Sequence, residues 1–130
     1  MPRSLDHPFA DLIGLRFDSR EPGKSTCSLQ VADKLLNPHK VVHGGVLYSM
    51  ADTGMGAALY PLLADGELCA TIEIKINYFA PVFTGSLVCT TKLVNKGKTI
   101  ANLDSEIRSG DRVVGRANGN YSIFRPSRGS

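Results

Sequence analysis

No stretch of this sequence holds about 20 consecutive apolar residues, so no segment has the length of a membrane-spanning helix. The first 18 residues mix Arg3, Asp6, His7, Asp11 and Arg16 with short apolar pieces and contain no signal-peptide core. Cysteine is scarce. Three residues, Cys27, Cys69 and Cys89, make an odd count, which without a secretory signal argues against a disulfide framework. Cys27 and Cys89 fall on the apolar faces of strand-like runs and read as buried thiols. A reduced, cytoplasmic protein is expected. An excess of one charge is lacking too: the net charge is +3, with the basic residues scattered, which predicts neither a nucleic-acid nor a membrane partner. No Cys/His spacing suits zinc and no glycine-rich dinucleotide motif occurs, so neither a metal nor a cofactor is expected. Internal repeats and low-complexity tracts are absent.

What is present fits one domain spanning residues 1–130. Hydrophobic residues make up 42% and charged residues 21%, the balance of a globular chain with one core. A short helix is predicted over 4–12. Residues 24–32 alternate, with Cys27, Leu29 and Val31 on one face and Ser28 and Gln30 on the other, as in a half-buried strand. A loop follows over 33–43, marked by Asn37-Pro38. From 44 to 60 the period becomes helical: Val46, Leu47, Met50, Ala51, Gly54, Ala57 and Ala58 share a stripe. The opposite side is also poor in charge, which predicts a helix buried nearly all round. Its glycines and alanines suit close approach of a sheet curled around it, and Pro61 ends the pattern.

Four more strands are predicted, over 71–79, 86–94, 100–108 and 112–124. In the first, Ile72, Ile74, Ile76 and Tyr78 oppose Glu73, Lys75 and Asn77. In the last, Val113, Tyr121 and Ile123 share a face. Turn signals at Thr84-Gly85, Lys96-Gly97-Lys98 and Ser109-Gly110-Asp111 join them into an antiparallel meander. One helix and about five antiparallel strands make an α+β domain.

Two features of the helix carry chemistry. Gly44 and Gly45, after His43, open its first turn, where unpaired N–H groups and a partial positive charge can hold a polarised carbonyl oxygen. The same glycines would also serve a plain loop-to-helix turn. Asp52 is the only charged side chain between Val42 and Ala64. A carboxylate in an apolar helix is costly unless paired, which marks it for function unless it reaches solvent or caps a loop. Gly44 and Asp52 are eight residues apart, roughly 12 Å along a helix. If both act on one carbonyl, they come from two chains whose helices run antiparallel, which makes the active unit a two-fold dimer.

Asn37, the run His43-Gly44-Gly45 and then Ala51-Asp52-Thr53 resemble the hotdog-fold thioesterases of the phenylacetate-degradation (PaaI) type, in the 4-hydroxybenzoyl-CoA thioesterase superfamily. The strand end Ile74-Lys75-Ile76-Asn77-Tyr78-Phe79-Ala80-Pro81 and the turn Val94-Asn95-Lys96-Gly97-Lys98-Thr99 fit the same family, so the likeness spans residues 24–124. The resemblance implies a curved antiparallel sheet wrapped around the long helix, in homodimers that pair into tetramers. It implies hydrolysis of a small, medium-chain or aromatic acyl-CoA, with CoA part of the substrate. Asp52 would be the nucleophile or the base that aims a water. Gly44 would polarise the thioester carbonyl from the partner chain. Asn37 and His43 would orient water or thioester, and Thr71 would lie near the attacking water. Gly45, Tyr78, Phe79, Ala80 and Pro81, with Asn95, Lys96, Gly97 and Lys98, would line the path of CoA, the two lysines reaching its phosphates unless they are simply solvated turn residues. Two other readings compete: a hotdog dehydratase of 3-hydroxyacyl thioesters, which lacks support because no His-Phe-Pro-Gly sequence occurs, and a silent acyl-CoA-binding domain, which would not need Asp52.

Overall fold

A computed structural model describes residues 7–127. The chain opens with α1 (Pro8–Ile13), whose first turn is capped by His7, with Pro8 where a missing N–H costs nothing. Gly14, at φ 75°, closes it in the left-handed conformation. The predicted helix start at Ser4 lies outside the described residues. The strands are β1 (Arg16–Glu21), β2 (Lys24–Gln30), β3 (Leu68–Tyr78), β4 (Ser86–Lys96), β5 (Ile100–Ser109) and β6 (Arg112–Phe124). The central helix is α2 (Gly44–Leu59), followed by a single 3₁₀ turn, Tyr60–Leu62, at Pro61. No described helix is long and apolar enough to cross a membrane.

The six strands form one antiparallel sheet in the order β1-β2-β4-β5-β6-β3, and α2 touches every one of them. This is the hotdog arrangement. Its core has two parts along the helix. Val46, Leu47 and Met50 pack with Leu29, Leu87, Cys89 and Ile107. Ala51, Met55, Ala58 and Leu59 pack with Leu103, Ala117, Tyr121 and Ile123. Cys27 and Cys89 are buried free thiols, as expected. The small residues of the helix earn their place by close approach: a Cβ on Gly54 would meet Thr91 Oγ1 at 2.8 Å, and one on Gly119 of β6 would meet Met55 Sδ at 2.7 Å.

Several sequence expectations are corrected. β1 was not foreseen, because all six of its residues are exposed and carry no buried stripe. The Pro22-Gly23 turn that joins it to β2 was the available signal; Gly23 has φ 82°, the value such a turn needs at its second central position. The meander holds only for β4, β5 and β6. β3 pairs with β6 and lies at the sheet edge. Asn95 and Lys96 belong to the end of β4 rather than to the turn. Val114, not Val113, is buried, because the register of β5 and β6 shifts between Ile107 and Arg108. Nor is α2 buried all round in the single chain: Gly45, Tyr48, Ser49, Asp52, Thr53 and Gly56 form a stripe the sheet does not cover.

The alternation expected in β3 also fails at one point. Thr71 pairs with Tyr121 and Glu73 with Asn120, so Ile72 is the extra residue of a β-bulge. Ile72 is 53% exposed, whereas Ile74 and Ile76 still pack into the core. The bulge turns Thr71 onto the helix side, a place that unbroken alternation would give to Ile72.

Candidate active site

Asp52 lies on the third turn of α2, half-buried, at the margin of the uncovered stripe. The Thr71 hydroxyl, brought inward by the β3 bulge, donates to Asp52 Oδ1 at 2.7 Å. The Tyr121 hydroxyl donates to the same oxygen and lies 2.7 Å from the main-chain oxygen of Asp52. Among the described residues no donor reaches Oδ2. The carboxylate is thus held by one oxygen and offers the other. Burial, then the hydrogen bond to Asp52, pushes the Tyr121 phenol far above its ordinary range, so it stays protonated and remains a donor.

The sequence placed Tyr121 on one face of the last strand with Val113 and Ile123 and gave it no role in the site; it is only 3% exposed. Its polar tip was the missed signal. A buried phenol needs a hydrogen-bond partner, and its inward neighbours on β6, Ala117 and Gly119, offer no side-chain polar group.

The start of α2 is a separate station. Gly44 and Asp52 are eight residues apart on one unbroken helix, about 12 Å along its axis. His43 caps the helix, its Nδ1 accepting the Gly45 N–H at 2.8 Å, which places the neutral ring's proton on Nε2. That N–H is therefore occupied, while the Gly44 N–H has no acceptor among the described residues. The Tyr78 hydroxyl donates to the Gly44 carbonyl at 2.8 Å, and its ring lies so close that a Cβ on Gly44 would meet it at 3.1 Å. Gly44, Tyr78, Phe79, Ala80 and Pro81 line one cavity of about 310 Å³.

Other expected site residues stand apart from Asp52. Asn37 Oδ1 accepts the His39 N–H at 2.8 Å and the Val41 N–H at 3.2 Å, which shapes its own loop. Asn95, Lys96, Gly97 and Lys98 form the β4–β5 hairpin end; Lys96 pairs with Ala101, which pairs with Tyr121. They do not line the Asp52 cavity. That cavity holds about 710 Å³ and runs across the uncovered stripe of α2, from Thr71 and Tyr121 to α1 and β1.

A model of the thioesterase superfamily matches residues 39–116, more than half of the chain and both stations of α2. The acyl-coenzyme A thioesterase PaaI of Escherichia coli K12 is 30% identical over 99 residues, which covers 75% of this chain and 69% of that protein. A 1,4-dihydroxy-2-naphthoyl-CoA hydrolase of Listeria monocytogenes is 27% identical over 89 residues, covering 68% of this chain and 72% of that one. The solved structure of a phenylacetic acid degradation protein PaaI of Thermus thermophilus, in its N33D mutant form, superposes with a TM-score of 0.83 at 25% identity, covering 92% of this chain and all of that one. The chain belongs to the thioesterase superfamily.

Thioester hydrolysis needs an activated oxygen nucleophile and a donor for the tetrahedral oxyanion. This thioesterase has a candidate for each: Asp52 Oδ2 for the first and the Gly44 N–H for the second. Cys69 also faces the Asp52 cavity, but burial pushes its thiol up to about 11, so at neutral pH it is not the thiolate that nucleophilic chemistry requires. Among the described residues, no group of three His, Cys, Asp or Glu side chains is arranged to hold a metal.

Proposed function

We propose that this thioesterase hydrolyses acyl-CoA, and that each site is shared by two chains. The observation that carries this reading is the Asp52 carboxylate, held through Oδ1 by Thr71 and Tyr121, with no donor on Oδ2 among the described residues, at the wall of a cavity of about 710 Å³. A thioester carbonyl bound at Gly44 is out of reach of Asp52 on the same helix. It is within reach of Asp52 on an antiparallel partner helix, and β3, an eleven-residue edge strand, is the place for two sheets to join.

In this reading Oδ2 takes a proton from a water as its oxygen attacks the thioester carbon. The carbonyl oxygen gains negative charge against the Gly44 N–H of the other chain. The C–S bond then breaks, the acid leaves, and the sulfur departs as CoA thiol with the proton. Direct attack by Oδ2, through an anhydride that water opens, uses the same residues. No cofactor enters either route. Lys96 and Lys98 would bind phosphates of CoA, and Tyr78, Phe79, Ala80 and Pro81 would flank its pantetheine. The PaaI protein of Escherichia coli is named as an acyl-coenzyme A thioesterase, which supports the choice of CoA esters.

The test is thiol release across short, medium-chain and aromatic acyl-CoAs. Release of free CoA from at least one class is expected. Binding of acyl-CoA without release would make the chain a binding protein, and loss of water from a 3-hydroxyacyl ester would make it a dehydratase.

A further inference from the structure

β1 and β3 are the two edges of the sheet, and each carries one bulge. In β1, Phe17 pairs with Cys27, Ser19 with Thr26 and Arg20 with Ser25, so Asp18 is the extra residue. Cys27 and Ser25 are buried on the helix side, the Ser25 hydroxyl donating to the Gly54 carbonyl of α2 at 2.7 Å. Phe17 and Arg20, their partners, therefore face the helix as well. Without the bulge, Ser19 and Glu21 would follow Phe17 inward. The inserted residue puts Arg20 opposite Ser25, where Ser19 would otherwise have stood. Arg20 lines the same cavity as Asp52 and Thr71. Among the described residues it makes no ion pair and no side-chain hydrogen bond.

The floor between the two edges is bare. A Cβ on Gly56 would meet nothing within 4 Å. Phe17, Tyr48 and Tyr60 supply apolar walls. Asp52 stands on the β3 side and Arg20 on the β1 side, so an acyl group lying across the uncovered stripe of α2 runs from one toward the other.

We infer that Arg20 is the anion-binding end of the acyl pocket, and that the preferred acyl groups carry a carboxylate remote from the thioester. This rests on the acyl-CoA reading given above. A forked guanidinium matches a carboxylate, whereas an aliphatic or phenyl end would leave it unpaired.

The test compares the neutral acyl-CoA hydrolysed fastest in the panel with its ω-carboxy counterpart of equal chain length. The wild type is expected to favour the ω-carboxy ester about tenfold in kcat/KM, mainly through KM, as for one charge-assisted contact in a half-open site. Arg20→Gln should lower that ratio about tenfold, and Arg20→Lys should keep part of it. The wild-type preference should also shrink as salt is raised. Arg20 is exposed on an edge strand, so neither change disturbs the core. Hydrolysis of both esters with the same ratio in wild type and Arg20→Gln would overturn the inference and leave the acyl-CoA reading standing. No thiol release from any ester would end both.

Discussion

The start of α2 and its Asp52 turn are built from different materials. At the start the proposed working group is a backbone N–H, left without a partner because a helix cannot pair its first donors, and Gly44 has no side chain to cover it. Local sequence suffices for this: His43 caps, two glycines follow. At Asp52 the proposed working group is a side chain, and a helix alone cannot aim it. Thr71 and Tyr121, 19 and 69 residues away in the chain, fix one oxygen and leave the other. The first station depends on the helix existing, the second on the register of two strands. Separated along one helix, they divide one reaction between two chains in the function proposed above.

The sharpest way to break this comparison is at the side-chain station. Asp52→Asn should lower kcat by about 10²–10⁴-fold, the contribution of a positioned acid or base. The change is nearly isosteric, so circular dichroism should show the fold retained; near-normal kcat in that folded protein would remove Asp52 from the mechanism. The backbone station comes next. Gly44 is the first residue of the helix, where proline is tolerated, so Gly44→Pro removes the N–H; its Cβ presses on the Tyr78 ring, which is half exposed. Loss of an oxyanion donor should cost about 10²–10³-fold in kcat. Mixing the two inactive variants tests the division itself. After chain exchange, each mixed dimer should regain one intact site of two, and activity should return. Mixed dimers that form but stay inactive would rule out the shared site.

Tyr121→Phe should have a smaller effect, a fall in kcat of about tenfold with little change in KM, because it removes one of two donors to Oδ1. Combined with Thr71→Val, the loss should exceed the product of the single effects, since either hydroxyl alone still restrains the same oxygen. Independent, multiplicative losses would reduce Tyr121 to a packing residue. The smallest effect belongs to the hairpin end. The Lys96→Ala, Lys98→Ala double variant should raise KM for CoA esters by about threefold at low salt and less at high salt, with kcat kept. An unchanged KM at both salts would make these lysines solvated surface residues.

Much of the site's skeleton could be read without a structure. A lone carboxylate in an apolar helical stripe marks Asp52, because burying charge without a partner is too costly to be casual. Two glycines after a capping residue mark the helix start. Thr71 reached the candidate set only through family resemblance, since plain alternation gave its place to Ile72. Tyr121 drew notice only as one of three residues sharing a strand face, because periodicity does not show where a phenol points. Arg20 was missed together with its whole strand, whose exposed residues leave no periodic trace.

What the sequence determined by itself is the helix, the spans of β2 to β6 within a few residues, the odd carboxylate, and the helical rise that separates Gly44 from Asp52. These follow from local periodicity and fixed helix geometry. Only the tertiary structure decided that β3 lies beside β6, that β1 closes the other edge, and which residues face the helix on both edges. A strand's side chains alternate with a period of two, so one extra residue at Asp18 or Ile72 exchanges every face beyond it. That exchange depends on which strand pairs with which, and pairing is settled by contacts between residues far apart in the chain.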